Sequence, residues 1–256
     1  MGFLSGRALS GHRTHGRETL SGAGRLDGRL LYRDGLMLVI DKPAGLAVHK
    51  GPKGGETLED HLHELRFGLP GDPHLAHRLD RDTSGCLVLG RHRKALRRLG
   101  KLFEHGQVRK TYIAIVEGRP DPPAGLIDQP LLKRSTQKRG WWMCVDPEGK
   151  SARTRYRTLD SREGRSLVLL EPLTGRTHQL RVHMDHIGCT MVGDPYYGER
   201  NAGEPHLLLH ALSIIVPLHD GKPPVEATAP IPAHWPTSWC EALAAASDTR
   251  RPRPVT

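Results

Sequence analysis

The stretch HRLDRDTSG, residues 77–85, concentrates reactive side chains in a short segment. It contains two carboxylates, two guanidiniums, two hydroxyls and an imidazole, and Leu79 is its single apolar side chain. Asp80 stands two positions after Arg78. A carboxylate held near an arginine stays ionised and can attack carbon as a nucleophile. The alternative is a structural turn in which Asp and Thr side chains cap backbone amides. Because apolar segments on both sides would hold the loop rigidly, we interpret Asp80 as a candidate nucleophile.

A second polar stretch, LTGRTHQLRVHMDHIG at residues 173–188, has helical spacing. Thr177 is predicted to cap the start of this helix. The residues predicted to face the core are Leu180, Met184 and Ile187. The residues predicted for the opposite face are His178, Arg181 and Asp185. The helix would therefore present an arginine with a histidine one turn earlier.

Histidines and acids in this stretch raise the question of a metal site. The candidate ligands are His178, His183, Asp185 and His186. The histidines are separated by five and by three positions, and neither spacing gives the His-Glu-x-x-His geometry of a zinc enzyme. We therefore predict no catalytic metal.

Tyr112 lies in the segment KTYIAIVEG, residues 110–118, which is apolar at both sets of alternating positions. This pattern predicts a central strand that is buried on both faces. Most tyrosines in such a strand belong to the core, so Tyr112 becomes a functional candidate only in the company of other site residues.

The elements that would position these residues follow from apolar runs and from Pro/Gly breaks. Beside 110–118, strands are predicted at 36–41, 86–90, 127–133, 140–145, 152–159, 165–171, within 207–218, and at 225–230. Short helices are predicted at 57–67, with Thr57 as N-cap, and at 233–246. Together with the helices around them, these strands indicate an α+β chain with a meandering, mostly antiparallel sheet.

The segment 91–106 predicts a helix with a basic outer face. Its inward positions are Leu96, Leu99 and Phe103. The basic side chains that cover the rest are Arg93, Lys94, Arg97, Arg98 and Lys101. A face of this kind could contact phosphates without reading sequence.

Composition indicates a globular protein with a polyanionic partner. The 256 residues carry 38 Lys and Arg against 28 Asp and Glu, a formal charge of +10, which favours nucleic acid over membrane. The four cysteines are not arranged in CxxC pairs, which argues against a zinc ribbon or a disulfide framework. No apolar run reaches the ~18 residues of a membrane span and no secretory signal is recognisable, so a cytoplasmic location is expected.

The predicted organisation is one catalytic domain at 29–246 between two flexible tails. Residues 1–28 are rich in Gly, Ser, Arg and His and lack periodicity, and residues 247–256 are similar. The N-terminal tail is too short for a separate RNA-binding domain.

Six motifs in a fixed order resemble the RluA-type RNA pseudouridine synthases. They are DKPAGLAVHKG (41–51), HRLDRDTSG (77–85), RKTYIAIVEG (109–118), LEPLTGRTHQLRVHM (170–184), GDPYYG (193–198) and LLLHA (207–211). The resemblance covers about residues 29–231. It implies a pseudouridine synthase fold, a mixed and mostly antiparallel sheet in two subdomains with a central active-site cleft, without the S4 domain of some relatives.

The resemblance also implies roles for particular residues. Asp80 corresponds to the catalytic aspartate, Tyr112 to the aromatic residue that packs against the target base, and Arg181 to the arginine that pairs with the aspartate. Arg78 resembles the arginine that enters the helix gap left by the flipped nucleotide. The residues expected to support the site are His77, Thr83 and His178. Those expected to contact RNA, with Arg78, are Lys110, Arg93, Arg97 and Lys101.

The reaction implied by the resemblance needs no cofactor, and no cofactor motif is present in the sequence. The expected partner is rRNA, tRNA or both, and a monomer is expected. Whether the carboxylate attacks C1′ of the ribose or C6 of the base stays open. The segment KRSTQKRGWW, residues 133–142, offers charge beside aromatic surface, or a solvated hairpin anchored by a tryptophan.

Two other functions are compatible with parts of the pattern. A nucleoside or glycoside hydrolase would need two carboxylates flanking the scissile bond, and Asp82 and Asp194 are the candidates beside Asp80. A non-catalytic RNA-binding protein could keep the fold and the basic face. The presence of Asp80, Tyr112 and Arg181 together favours the enzyme.

Overall fold

The computed structural model describes residues 25–51, 54–138, 140–197 and 204–248. The strands are β1 (Leu30–Arg33), β2 (Met37–Lys42), β3 (His74–Leu75), β4 (Ser84–Gly90), β5 (Arg109–Glu117), β6 (Ala124–Asp128), β7 (Leu131–Thr136), β8 (Gly140–Val145), β9 (Arg153–Arg162), β10 (Arg165–Pro172), β11 (Leu209–Val216) and β12 (Val225–Thr228). The α-helices are α1 (Arg93–Glu104), α2 (Gln179–His186) and α3 (Thr237–Asp248), and 3₁₀ helices form at Leu26–Arg29 and Leu58–Leu65.

Most strands belong to one sheet. Its order is β1-β2-β4-β11-β5-β10-β9-β6, with β12 paired to β11 and β3 paired to β4, while β7 and β8 form a separate hairpin. Among the described strand pairs only β4 and β11 run parallel. The predicted α+β fold with a mixed, mostly antiparallel sheet is confirmed.

The core explains why β5 is central. Tyr112, Ala114 and Val116 pack into the main apolar cluster on one side of the sheet. Ile113 and Ile115 pack on the other side, against α3. Because successive side chains of a strand point to opposite faces, a strand covered on both sides must be apolar at every position, as predicted from the sequence.

The junction of β4 with β11 positions the loop that carries Asp80, residues 77–85. Gly85 ends the HRLDRDTSG stretch with φ +105°, and a Cβ there would lie 2.3 Å from the carbonyl oxygen of Ala211. Only glycine allows both this backbone conformation and this close approach. The loop before Gly85 is thereby fixed to the middle of the sheet.

Several predicted boundaries are wrong in detail. The strand predicted at 127–133 is two strands, β6 and β7, because Pro130 interrupts it. The helix predicted for 57–67 is a 3₁₀ helix that ends at Leu65, although Thr57 does cap it by donating its amide and hydroxyl to the Asp60 carboxylate. The basic helix at Arg93–Glu104 is confirmed.

The predicted cap of α2 is also wrong. The N-cap is His178, in a left-handed conformation with φ 53°, rather than Thr177. The entry loop is instead held by the side chain of Gln179, which accepts hydrogen bonds from the Thr174 hydroxyl and the Arg176 amide. The side chain of Gln179, inside the helix, thus holds the start of the helix in place of the predicted threonine cap.

The predicted division into amphipathic faces fails for α2 as well. Every residue from Gln179 to Met184 is buried. The hairpin β7–β8 and the segment that ends at Tyr197 cover the face opposite Leu180 and Met184, and the Tyr197 hydroxyl accepts a bond from the Met143 amide. Arg181 is therefore an internal residue of the site.

The predicted tails lie largely outside the described residues. At their inner edges, Leu26 is buried within the first 3₁₀ helix and α3 continues to Asp248. The division into a domain at 29–246 and two tails stays a prediction. The four cysteines, Cys86, Cys144, Cys189 and Cys240, are free thiols.

Candidate active site

A cavity of about 910 Å³ opens across the middle of the sheet. Its lining includes the loop before β4, the end of α1, strand β5 and the start of α2. Asp80, Tyr112 and Arg181, which are far apart in the sequence, all line it. The structure therefore brings together the three residues that the resemblance singled out.

Asp80 forms an ion pair with Arg181. The distance from Asp80 Oδ2 to Arg181 Nη1 is 3.2 Å. The Asp80 side chain is 18% exposed, so a ligand in the cavity can reach it, whereas Arg181 is only 2% exposed. The arginine within hydrogen-bond distance of Asp80 is thus Arg181 and not Arg78, the neighbour in sequence that we first considered.

Asp194 holds Arg181 from the other side. Its carboxylate accepts from Nε and Nη2 of Arg181 at 2.7 and 2.6 Å, and its side chain is fully buried. Burial opposes the charge on Arg181, but hydrogen bonds and charge from Asp194, with a further contribution from Asp80, raise its pKa above the ordinary value. The guanidinium is therefore a permanent cation with its orientation fixed.

The importance of Asp194 was missed in the sequence analysis. The GDPYYG motif was the available signal, but motif order alone does not say which arginine its aspartate would meet. The same carboxylate also accepts the amides of Tyr196 and Tyr197 at 2.8 and 3.2 Å. Because it is buried and fully occupied, Asp194 is unsuited to act as the second acid or base of a hydrolase.

His178 lies beside the ion pair. Its Nε2 is 3.9 Å from Asp80 Oδ2, and its Nδ1 is 2.8 Å from the Tyr197 hydroxyl. Burial lowers the pKa of His178 despite the nearby Asp80 carboxylate. The ring is therefore mainly neutral at pH 7 and contributes shape and hydrogen bonding rather than charge.

Tyr112 also forms part of the cavity wall. Its side chain is 9% exposed and belongs to the main apolar cluster. Burial, followed by the charge of Asp80, raises the pKa of Tyr112. Its hydroxyl therefore stays protonated at neutral pH, and its ring offers an apolar surface.

His77 and Thr83, which were predicted to support the site, help to hold the loop that carries Asp80. Nε2 of His77 accepts the Val88 amide at 3.0 Å, and the His77 ring stacks on Phe103 with centroids 4.7 Å apart. Burial lowers the pKa of His77 to about 3, so the ring is neutral. Thr83 is buried, and its amide donates to the Asp80 carbonyl at 3.3 Å.

Lys42 is a second residue that the sequence analysis missed. It is the last residue of β2 and belongs to the DKPAG motif. Its side chain is fully buried and donates to the carbonyl oxygens of Pro43, Leu46 and Arg81 at 2.7, 2.9 and 2.9 Å. Since Arg81 follows Asp80 directly, Lys42 anchors the loop that carries Asp80. Burial lowers the pKa of Lys42 to about 7, against the charges of nearby aspartates.

The predicted RNA contacts fall into two groups. Arg78 is exposed and Lys110 is half-buried, and both line the cavity. Arg93, Arg97 and Lys101 are exposed on α1 but are not part of the cavity lining, so their role stays a prediction. Cationic lining residues that we did not single out are Arg109, Arg153, Arg155 and Arg176.

Within the part of the chain that the structure describes, no group of three His, Cys, Asp or Glu side chains could hold a metal ion. Among the candidate ligands of α2, the two ring nitrogens of His183 meet the Thr154 hydroxyl and the Gln129 carbonyl, and Asp185 accepts from the Thr190 hydroxyl. No described helix is long and apolar enough to cross a membrane.

Comparison with known proteins decides the family. A family model described as RNA pseudouridylate synthase matches residues 36–186. An uncharacterized RNA pseudouridine synthase of Zymomonas mobilis is 47% identical over 206 residues, which cover 80% of this chain and 94% of that protein. The chain belongs to the RNA pseudouridine synthase family.

Other relatives agree with this assignment. The ribosomal large subunit pseudouridine synthase C of Vibrio cholerae is 36% identical over 227 residues, 84% of this chain and 69% of that protein. The solved structure of human RNA pseudouridylate synthase domain containing 4 has a TM-score of 0.69 at 28% identity, covering 87% of this synthase and 94% of that chain. For human RNA pseudouridylate synthase domain containing 1 the TM-score is 0.66 at 29% identity, with 88% and 96% covered.

The predicted RluA-type resemblance is confirmed, and the synthase is an isomerase that acts on RNA. Its fold is that of the pseudouridylate synthases. The roles of individual residues rest on the geometry described above and are taken up next.

Proposed function

We propose that this synthase converts uridine in RNA to pseudouridine with Asp80 as the nucleophile. The observation that carries the proposal is the fixed ion pair in the cavity. Asp194 orients Arg181, and Arg181 leaves one N–H group directed at the Asp80 carboxylate. A carboxylate held in this way is positioned and ionised before substrate arrives.

The reaction matches this set of groups. The N1–C1′ bond of a uridine breaks, the uracil turns, and a C5–C1′ bond forms, while C5 loses a proton and N1 gains one. Substrate and product are isomers, so the reaction consumes no oxidant, reductant or water. Asp80 can add to C1′ or to C6, and either attack forms a covalent intermediate that must later release the carboxylate.

The target base must reach Asp80. A base in a helix is inaccessible, so it has to be extruded at a cost of a few kcal/mol. Packing against the ring of Tyr112 would return about 1–3 kcal/mol. Arg78 is exposed at the cavity and is suited to fill the gap that the extruded nucleotide leaves.

The cationic lining supports RNA as the substrate. Arg109, Lys110, Arg153 and Arg176 surround the cavity with positive charge. Contacts of these side chains with phosphates would give affinity that does not depend on sequence and that falls as salt rises. The named ribosomal relatives make rRNA the first candidate substrate, with tRNA as the other.

Two further features are proposed with this function. The three reacting-site residues come from one chain, which supports action as a monomer. The cytoplasm is the proposed location, because the named ribosomal relatives are bacterial and bacterial rRNA is made there.

The test is a map of pseudouridines in total RNA from cells with the wild-type protein, without it, and with Asp80→Asn. We expect specific sites to disappear in the last two strains, while purified Asp80→Asn still binds RNA with nearly unchanged affinity because Asn keeps the shape of Asp. An Asp80→Asn enzyme with full activity would refute Asp80 as the nucleophile. Release of free uracil from RNA would indicate hydrolysis instead.

A further inference from the structure

Exposed aromatic side chains cluster beside the active site. Among the described residues, the exposed large apolar side chains are Leu126, Trp141 and Tyr196, at 48%, 42% and 52%. Trp141 and Tyr196 both contact His178, with ring centroids 5.2 and 5.6 Å away. We call Trp141, His178 and Tyr196 the aromatic row. Single exposed apolar side chains are ordinary, but two that share one neighbour form a surface.

The aromatic row is built on the framework of the site. Trp141 lies in β8 of the separate hairpin, and His178 is the N-cap of α2. The backbone amide of Tyr196 donates to Asp194, the carboxylate that orients Arg181. The row is therefore held in a fixed relation to the catalytic ion pair.

The row adjoins Asp80 through His178 and extends beyond the cavity lining. His178 lines the cavity and has its Nε2 3.9 Å from Asp80 Oδ2, whereas Trp141 and Tyr196 lie outside the cavity lining. A uridine bound at Asp80 stays joined to its neighbours in the RNA strand. The base next to it has lost its stacking partner, so it gains by meeting another aromatic surface.

Charge around the row fits a nucleotide. Nζ of the exposed Lys133 lies 4.9 Å from the ring centroid of Trp141. Aromatic rings interleaved with cations are the usual surface for single-stranded nucleic acid. An apolar peptide would not need the cations.

We propose that the aromatic row is a stacking subsite for the base of a nucleotide adjacent to the target uridine. The proposal rests on the proposed function for its substrate, but it assigns residues that take no part in the isomerisation. It predicts that the enzyme binds RNA in which the residue beside the target is unpaired or becomes so. Stacking of this kind tolerates any base, because every base has an aromatic face.

The test separates bases from charge. Purified full-length wild type, Trp141→Ala and Tyr196→Ala are titrated with a uridine oligonucleotide about a dozen residues long and with inorganic polyphosphate of similar charge. We expect each variant to bind the oligonucleotide roughly 5- to 150-fold more weakly, as for the loss of one stacked base. Binding of polyphosphate, which has no bases, is expected to stay unchanged.

Three variants control this comparison. Leu126→Ala removes an equally exposed apolar side chain from β6 and should bind both polymers as wild type does. Trp141→Phe keeps an aromatic face and should retain most of the oligonucleotide affinity. Lys133→Ala should weaken the binding of both polymers, because it removes a positive charge. Equal effects of Trp141→Ala on both polymers, or no effect on either, would overturn the proposal.

The outcome can be told apart from failure of the proposed function. With total RNA lacking the modification as substrate, Trp141→Ala should raise KM while kcat at saturating RNA stays near the wild-type value. If the wild type forms no pseudouridine yet shows the base-dependent binding, the proposed reaction is refuted and the stacking subsite is supported. If pseudouridine forms but the variants lose no more affinity for the oligonucleotide than for polyphosphate, only the stacking subsite is refuted.

Discussion

At the scale of single residues, the site depends on a cation shared unequally between two carboxylates. Arg181 makes two short bonds to buried Asp194 and one longer bond to accessible Asp80. The two carboxylates therefore have different roles, because Asp194 positions the guanidinium and Asp80 stays available to the substrate. In the proposed mechanism, Asp194 is therefore a positioning residue and Asp80 is the nucleophile.

This division predicts the effect of Asp194→Asn. The amide can still accept the Tyr196 and Tyr197 backbone N–H groups, but the charge that fixes Arg181 is lost. We expect kcat to fall roughly 10- to 100-fold, since misplacement by about an ångström is sufficient for such a loss, with little change in KM. Breaking the buried pair should also lower the free energy of unfolding by about 3–5 kcal/mol. Steady-state kinetics and urea unfolding measure the two effects.

A matched variant keeps this prediction specific. Asp220 also pairs with an arginine, Arg98, but is 96% exposed. Asp220→Asn should leave both activity and unfolding as in the wild type. A normal kcat in Asp194→Asn would show that Arg181 needs no partner other than Asp80.

At the scale of elements, the sequence predicts strands better than it predicts what covers a helix. Strand β5 was correctly expected to be buried on both sides, because alternation is a local property that the chain displays in full. The α2 helix was expected to be amphipathic, yet the hairpin β7–β8 and the 194–197 segment bury its polar side as well. The periodicity of a segment does not predict which distant segments of the chain will pack against it.

The same reason explains which site residues were found. Asp80, Tyr112 and Arg181 stand within motifs whose family roles could be carried over, and the cavity brings them together. The partners that hold them could not be read from spacing. Lys42 bonds to a carbonyl 39 positions away, and its type suggested only a surface charge.

Lys42 leads to a prediction about the catalytic loop. Its three carbonyl acceptors match the three N–H donors of an ammonium, and the neutral amine has one fewer. With a pKa of about 7, the amine loses its proton as pH rises through neutrality. We therefore expect the activity of the wild type to decline between pH 7 and about pH 9, because the anchor on Arg81 weakens.

Stability should move the other way over this range. The folded-state pKa lies below the unfolded value of 10.5, so between these values the unfolded chain binds more protons and Lys42 contributes rising stability as pH increases. Lys42→Met should be roughly tenfold less active at pH 7 and lack this part of the pH dependence. Lys50→Met, at an exposed lysine nearby, is the control. An identical pH profile in Lys42→Met would contradict the anchoring role.

At the scale of the whole molecule, buried neutral histidines connect the site to acid stability. Burial lowers the pKa of His77 to about 3 and that of His210 to about 4, and it lowers those of His178 and His183 as well. All four are tied into the framework; Nδ1 of His210, for example, lies 2.8 Å from the Ser84 hydroxyl at the start of β4. A proton taken up by any of these rings would place a charge in surroundings that desolvate it.

The sign of the pH effect follows from these shifts. Below the ordinary histidine pKa of 6.5, these histidines bind protons in the unfolded chain but not in the folded chain. The free energy of unfolding therefore falls as pH falls. Each such histidine contributes up to about 1.4 kcal/mol per pH unit to the slope of the free energy of unfolding against pH, until the pH reaches its folded-state pKa. We therefore expect His77→Gln, whose amide oxygen can still accept the Val88 N–H, to reduce the slope by about that amount between pH 6 and pH 4.5. Urea midpoints at several pH values measure it, and His63→Gln, at an exposed position, should leave the slope as in the wild type. A slope in His77→Gln that equals the wild-type slope would mean that His77 takes up its proton as easily in the folded chain as in the unfolded one.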